Sequence, residues 1–304
     1  MKTCLTAAAA LLLAGCVSPE FYYDTYDKEI SGSYGFAEPQ LDVYATISNA
    51  RGLHGTVQLT ARPDAKNQSA APKDVVVSLL ADGVTIAQTI AVPVENENYS
   101  EFDIPNEQLA LDCSKDYVVD VVCAEHGSAA SEKIQLVKPF EVDSLGCVFD
   151  FRNGCEFFAK LQNKFANTYY GLILCSYYKG EVFDGDEFVR IRGIEEKDVP
   201  KAGSVGVSKY FYVNGPREDR GDGNRRVYAD SVRVCLVKYS PELTTFALDL
   251  KLAEDTYNDG FSDAPKQVVS NMTGGVGFCG SYYVVSKMFY NDVDYGNKLR
   301  DEIR

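Results

Sequence analysis

The stretch VVVSLLADGVTI (residues 75–86) sets the fold class. Val75, Val77 and Leu79 recur at every second position, the period at which successive side chains alternate between the two faces of a β-strand. Asp82-Gly83 follows, and Val84 and Ile86 resume the alternation. Two strand-like runs joined by Asp-Gly predict a tight antiparallel hairpin. Outward from this hairpin the same period returns in Leu41, Val43, Ala45 and Ile47, and in Val57, Leu59 and Ala61. It continues in Tyr117, Val119, Val121 and Cys123, and Ile134 to Val137 closes the series. About seven short strands over roughly 100 residues predict a β-sandwich. Lys138-Pro139-Phe140 marks its exit, because proline cannot donate to a ladder.

The second half is again strand-rich. Runs at Val148 to Phe151, Phe157 to Leu161, Tyr169 to Tyr178, Phe188 to Ile191, Tyr210 to Val213, Val232 to Tyr239 and Tyr282 to Tyr290 read as strands. One segment departs from the period of two. Ser240 suits a helix N-cap, Pro241 the first helical position and Glu242 the first turn. Leu243, Phe246, Ala247, Leu250 and Tyr257 then share one helical face, and Asn258-Asp259-Gly260 ends the helix. No fixed period of 20 to 50 residues argues for a solenoid or propeller. The expected architecture is all-β. An immunoglobulin-like or transthyretin-like sandwich over residues 39–140 precedes a β-rich domain over 141–304, which carries one amphipathic helix near 241–257.

The first fifteen residues have the zones of a secretory signal: Lys2, an apolar run from Leu5 to Ala14, and small residues at the cut. Ten residues rise about 15 Å as a helix, whereas a bilayer core of about 30 Å needs about 20. This stretch is therefore a leader and not a permanent span. It ends in Leu13-Ala14-Gly15-Cys16, similar to the lipobox of bacterial lipoproteins, in which the cysteine is acylated and becomes the first residue. Several acyl chains hold a protein stably to a membrane where one would not. Residues 16–38 read as a lipid-anchored tether, and Val17-Ser18 points to the outer membrane. The cell-surface face is favoured over the periplasmic one.

The chain carries a formal charge of −14, which repels phosphate backbones and excludes nucleic acid as a partner. With 45% hydrophobic residues it has material for folded cores. Twenty tyrosines and no tryptophan fit strand packing. Beyond Cys4 and Cys16 the cysteines are Cys113, Cys123, Cys147, Cys155, Cys175, Cys235 and Cys279, an odd set that leaves at least one thiol unpaired. If Asn153-Gly154 forms a two-residue hairpin turn, Cys147 faces Lys160, and Cys147 and Cys155 cannot bridge.

Catalytic signatures are sparse. The only histidines, His54 and His126, sit beside glycines and read as turn residues, with no nucleophile elbow elsewhere. Neither the Walker pattern nor a dinucleotide fingerprint is present, and Gly274-Gly275-Val276-Gly277 does not open a helical pattern. Asp184, Asp186 and Glu187 cluster as weak Ca²⁺ ligands, but an Asp184-Gly185 turn accounts for them without metal. Arg220-Gly221-Asp222 lies in a charged segment read as an exposed loop. A carboxylate-pair hydrolase has no motif to select its acids from the 44 present. No enzyme activity, cofactor or resident metal is expected.

Asp263-Ala264-Pro265, followed by Val268-Val269-Ser270-Asn271-Met272-Thr273-Gly274-Gly275-Val276-Gly277-Phe278, resembles the closing signature of a Bacteroidetes lipoprotein family known as domain of unknown function 4249. Val75 to Gly83, Tyr99 and Lys115 to Val121 are similar to that family's strand, turn and tyrosine pattern. Cys279-Gly280 departs from it where a small or apolar residue is expected. Pro265, Asn271, Gly274, Gly275, Gly277 and Phe278 carry the motif. Its glycines suggest a close backbone crossing or positive φ and not a phosphate cradle. The resemblance implies an accessory lipoprotein associated with TonB-dependent outer-membrane transporters. The expected function is thus non-enzymatic binding, with a fimbria-like adhesive module as the alternative. No ligand is named by the residues.

Overall fold

The computed structural model describes residues 39–60, 70–149, 154–163, 168–185, 203–212, 214–219, 224–259 and 270–291. Over these residues the chain is mostly strand, with one α-helix, and forms two units. The expected leader and tether, Cys16 and the strand expected at 188–191 lie outside the described residues.

In chain order the strands begin with β1 (Leu41–Ser48), β2 (Gly52–Leu59), β3 (Val75–Ala81), β4 (Val84–Ile90), β5 (Val92–Pro93) and β6 (Tyr99–Ile104). Next come β7 (Asp116–Cys123), β8 (Gly127–Ser131), β9 (Ile134–Gln135), β10 (Ser144–Phe149), β11 (Gly154–Asn163), β12 (Tyr170–Tyr178) and β13 (Glu181–Gly185). The series ends with β14 (Gly203–Tyr212), β15 (Asn214–Asp219), β16 (Asn224–Tyr228), β17 (Ser231–Tyr239), β18 (Met272–Thr273) and β19 (Val276–Tyr290). Helix α1 (Pro241–Asp259) lies between β17 and β18.

The first unit takes in the described residues up to Lys138 and from Tyr239 to Tyr283. One of its sheets has the order β19-β1-β2-β6-β5 and the other β18-β8-β7-β3-β4, with β9 on β7. Leu41, Val43, Ala45 and Ile47 of β1 bury the same core as Val75, Val77 and Leu79 of β3 and Tyr117, Val119 and Val121 of β7. Two sheets sharing one core make a β-sandwich. Asp82 and Gly83 adopt φ of 48° and 82°, the paired positive values of the type I′ turn whose twist matches its strands.

The C-terminal part of this unit differs from the expected division at residue 140. β19 pairs with β1 in parallel, Asp42 with Val276 through Ser48 with Tyr282, so a segment expected in the second domain completes the first sandwich. Helix α1 belongs to this unit as well, not to the second. Leu243, Phe246, Ala247 and Leu250 are buried, and the Phe246 ring stacks on Phe278 of β19 at 4.2 Å between centroids. Ser240 caps the helix, its Oγ accepting from the Leu243 N–H at 3.2 Å, while its own N–H donates to the Ser281 carbonyl at 3.0 Å.

The second unit takes in the described residues from Pro139 to Lys238 and from Val284 onward. Antiparallel β10-β11-β14 form one sheet, β13-β12-β17 with residues 284–290 of β19 another, and β15-β16 a hairpin. Cys155, Phe157, Ala159 and Leu161 of β11 share a core with Tyr170 of β12 and Val232, Val234 and Leu236 of β17.

Three local expectations are revised here. Phe149 pairs with Cys155, so Asn153-Gly154 is not the two-residue turn of that hairpin. In the resulting register Cys147 faces Phe157, Cys155 sits diagonally from it at a Cα separation of 6.2 Å, and the two form a disulfide. Asp184 and Gly185 are not a turn either, being ladder partners of Ser176 and Cys175. The turn before β13 is Lys179-Gly180, with φ of 53° and 83°. Finally, Arg217 to Asp219 and Asn224 to Arg226, expected in a loop, pair as strands; Arg220-Gly221-Asp222 lies outside the described residues.

Candidate functional site

The Gly-rich segment is a crossing between the two sheets of the first sandwich. Met272 and Thr273 pair with Ser131 and Ala130 of β8, whereas Val276 onward pairs with β1. Between them the backbone changes sheet within three residues, and there is no room for side chains. A Cβ on Gly275 would meet the Leu41 carbonyl and Ala129, and one on Gly277, at φ of 111°, would meet the Val43 backbone. Asn271 ties the crossing down: its Oδ1 accepts from the Cys279 N–H at 2.8 Å and its Nδ2 donates to the Cys279 carbonyl at 2.7 Å. Cys279 is buried in the core, where burial pushes its thiol up to about 12, and its Sγ touches the Met272 sulfur at 3.5 Å. It packs there as a small apolar residue. Phe278 carries the stacking contact with α1. Pro265 lies outside the described residues. The described residues of the motif hold backbone to backbone.

On the opposite face of β1 from the core lies a polar network that sequence reading did not assemble. His54, expected in a turn, is in β2, where Thr46 and Asp103 are its cross-strand partners. Arg51 Nε donates to Asp103 Oδ1 at 2.8 Å, the same oxygen that lies 3.4 Å from His54 Nδ1. Burial lowers the His54 pKa to about 4 and the Arg51 charge adds to the effect, against the pull of Asp103; the imidazole is neutral at pH 7. The Tyr282 hydroxyl hydrogen-bonds Ser48 and Thr46, and burial raises its pKa. With Arg51 and the neutral imidazole gathered at one Asp103 oxygen, the arrangement is a packed polar network. His126, by contrast, sits in the β7–β8 turn, its N–H on the Cys123 carbonyl at 3.3 Å.

Further along the same side of β1, Asp42 is almost wholly buried. Gln58 Nε2 donates to its Oδ2 at 2.7 Å, and its Oδ1 has no hydrogen-bond partner. Burial raises its pKa to about 7, outweighing the Gln58 hydrogen bond. Among the described residues no group of three or more His, Cys, Asp or Glu side chains is placed to hold a metal. Of the Ca²⁺ candidates, Asp184 lies on β13, while Asp186 and Glu187 lie outside the described residues.

The outer face of the second sheet is apolar at one end. Ile90, Val76 and Val122 are cross-strand neighbours on β4, β3 and β7, and Ile90 and Val122 are 62% and 43% exposed. Val84 and Val92 add exposed apolar surface on the two edge strands β4 and β5. An edge strand without charge or proline is a pairing surface for another chain, and VTIAQTI of β4 has neither. The sequence contained the signal: the same alternation that built β4 leaves its uncharged outer positions without cover.

Compared with known proteins, the chain matches no family model and no curated protein.

Proposed function

We propose that this chain is an exported lipoprotein, tethered to the outer membrane through Cys16, whose β domains act as a non-enzymatic binding or accessory component of a TonB-dependent transport system. The observation that carries the reading is Leu13-Ala14-Gly15-Cys16 directly after a ten-residue apolar run. The Cys147–Cys155 disulfide supports it, since such bonds persist in oxidising compartments. The exposed Ile90, Val122 and Val92 support a protein partner. The transporter association rests on the resemblance to the family of unknown function.

Metabolic labelling with a tagged fatty acid tests the anchor. The wild-type chain is expected to take up label and partition with outer membranes, and Cys16→Ser to remain unlabelled precursor. A Cys16→Ser chain that still partitions with membranes would sink the anchoring reading. Detergent pull-down tests the partner: recovery of a β-barrel transporter is expected, and repeated failure where the transporter is expressed counts against the accessory role. Protease shaving of intact cells reports the face, a surface protein being digested and a periplasmic one spared.

A further inference from the structure

We propose that Cys175 and Cys235 are a second redox pair of the second unit, closing to a disulfide by exchange with an external disulfide. β12 and β17 pair with Cys175 opposite Arg233. Cys235, two residues on, therefore lies on the same face in the diagonal position. The Cys147–Cys155 bond of this unit also joins a diagonal pair across an antiparallel ladder, two residues back along the partner strand where Cys235 is two residues on, at a Cα separation inside the usual disulfide range of about 4.4 to 6.8 Å.

Among the described residues the remaining free thiols, Cys113, Cys123 and Cys279, lie in the first unit and have other contacts. Cys113 Sγ is on the Val137 carbonyl, Cys123 Sγ on the Lys73 carbonyl and Cys279 Sγ against Met272. Cys235 instead has Cys175 beside it: burial raises the Cys235 pKa, Arg233 opposes the rise, and Cys175 adds to it.

The chemistry balances with a small-molecule disulfide, RSSR, as oxidant. One thiol loses its proton and attacks RSSR, forming a mixed disulfide and releasing RS⁻. The second thiolate then attacks the protein sulfur of that mixed bond and releases the other RS⁻. Two protein thiols are oxidised, two electrons pass to RSSR, and the two protons leave on two RSH. Both sulfurs are buried, so exchange occurs while the strands open locally, and the closed bond is then shielded from reductant. The bond closes a loop of roughly 60 residues, which restricts the unfolded chain and raises stability.

Peptide mapping without reduction tests the pair. The full chain is equilibrated with oxidised glutathione in mild urea, quenched in acid, alkylated and digested. The expected product is a linked peptide pair containing Cys175 and Cys235 beside the Cys147–Cys155 pair, with a rise in Tm that Cys235→Ser abolishes. Recovery of Cys175 and Cys235 as alkylated thiols while Cys147–Cys155 is linked would overturn the proposal. So would either cysteine found bonded to any other.

Discussion

Asn271 grips Cys279 at both backbone groups, accepting from its N–H at 2.8 Å and donating to its carbonyl at 2.7 Å. A side-chain amide here substitutes for a neighbouring strand at the point where the chain leaves one sheet and enters the other. Removing it leaves two buried backbone groups without that partner. Asn271→Ala is expected to cost about 2 kcal/mol, read as a lower urea midpoint with unchanged slope. A midpoint equal to wild type would show that the crossing is held elsewhere.

Gly277 tests the same crossing through its backbone. At φ of 111°, with the Val43 backbone where a Cβ would sit, alanine meets both strain and collision. Gly277→Ala is expected to lose about 3 kcal/mol and most soluble yield. A control at Gly83, whose Cβ would meet nothing within 4 Å, isolates the collision from the φ penalty. Gly83→Ala is expected to cost about 1 kcal/mol.

Tyr117 is fully buried, yet its hydroxyl reaches back five residues, accepting from the Asp112 N–H at 2.7 Å and lying 3.3 Å from the Asp112 carbonyl, to which it donates. This is the geometry of a tyrosine corner, which pins the entry to a central strand of a sandwich. Tyr117→Phe keeps the ring and removes the hydroxyl. Its expected cost is about 1 to 2 kcal/mol, measured by chemical denaturation, with no change in far-ultraviolet dichroism of the native state.

Asp42 and His54 set opposing pH dependences. Asp42 has a usual value of 3.8 and about 7 when folded, so between these the folded state holds a proton the unfolded chain has lost, and stability falls as pH rises. His54 has a usual value of 6.5 and about 4 when folded, so in that window the unfolded chain holds the extra proton and stability rises with pH. From about pH 4 to 6.5 the two slopes, each about 1.4 kcal/mol per pH unit for one proton, cancel. Asp42→Asn is expected to leave stability rising with pH to about 6.5, and His54→Gln to leave it falling up to about 7. Denaturation midpoints from pH 4 to 8 check this; parallel profiles for the two variants would contradict it.

Features carried by neighbouring residues were legible. Asp82-Gly83 makes its hairpin because two positive φ values are a local matter, and Ser240-Pro241-Glu242 starts its helix because a cap needs only the residues that follow it. Competing local signals were not resolved. Lys179-Gly180 and Asp184-Gly185 both suit a turn, and only the pairing of Tyr178 with Glu181 selects the first. The Cys147–Cys155 bond was hidden for the same reason, since a shift of register changes which residues lie within reach.

The sequence by itself determined the strand-rich character and the start of the helix at Pro241, because alternation and capping are written in adjacent residues. Tertiary structure decided that Val276 to Tyr282 joins Leu41 to Ser48, that the helix covers the first unit, and that His54, Asp103, Arg51 and Tyr282 meet. Each of these joins strands far apart in the chain. Hydrophobic period fixes which face of a strand is buried, but it carries no information about which edge that strand will find.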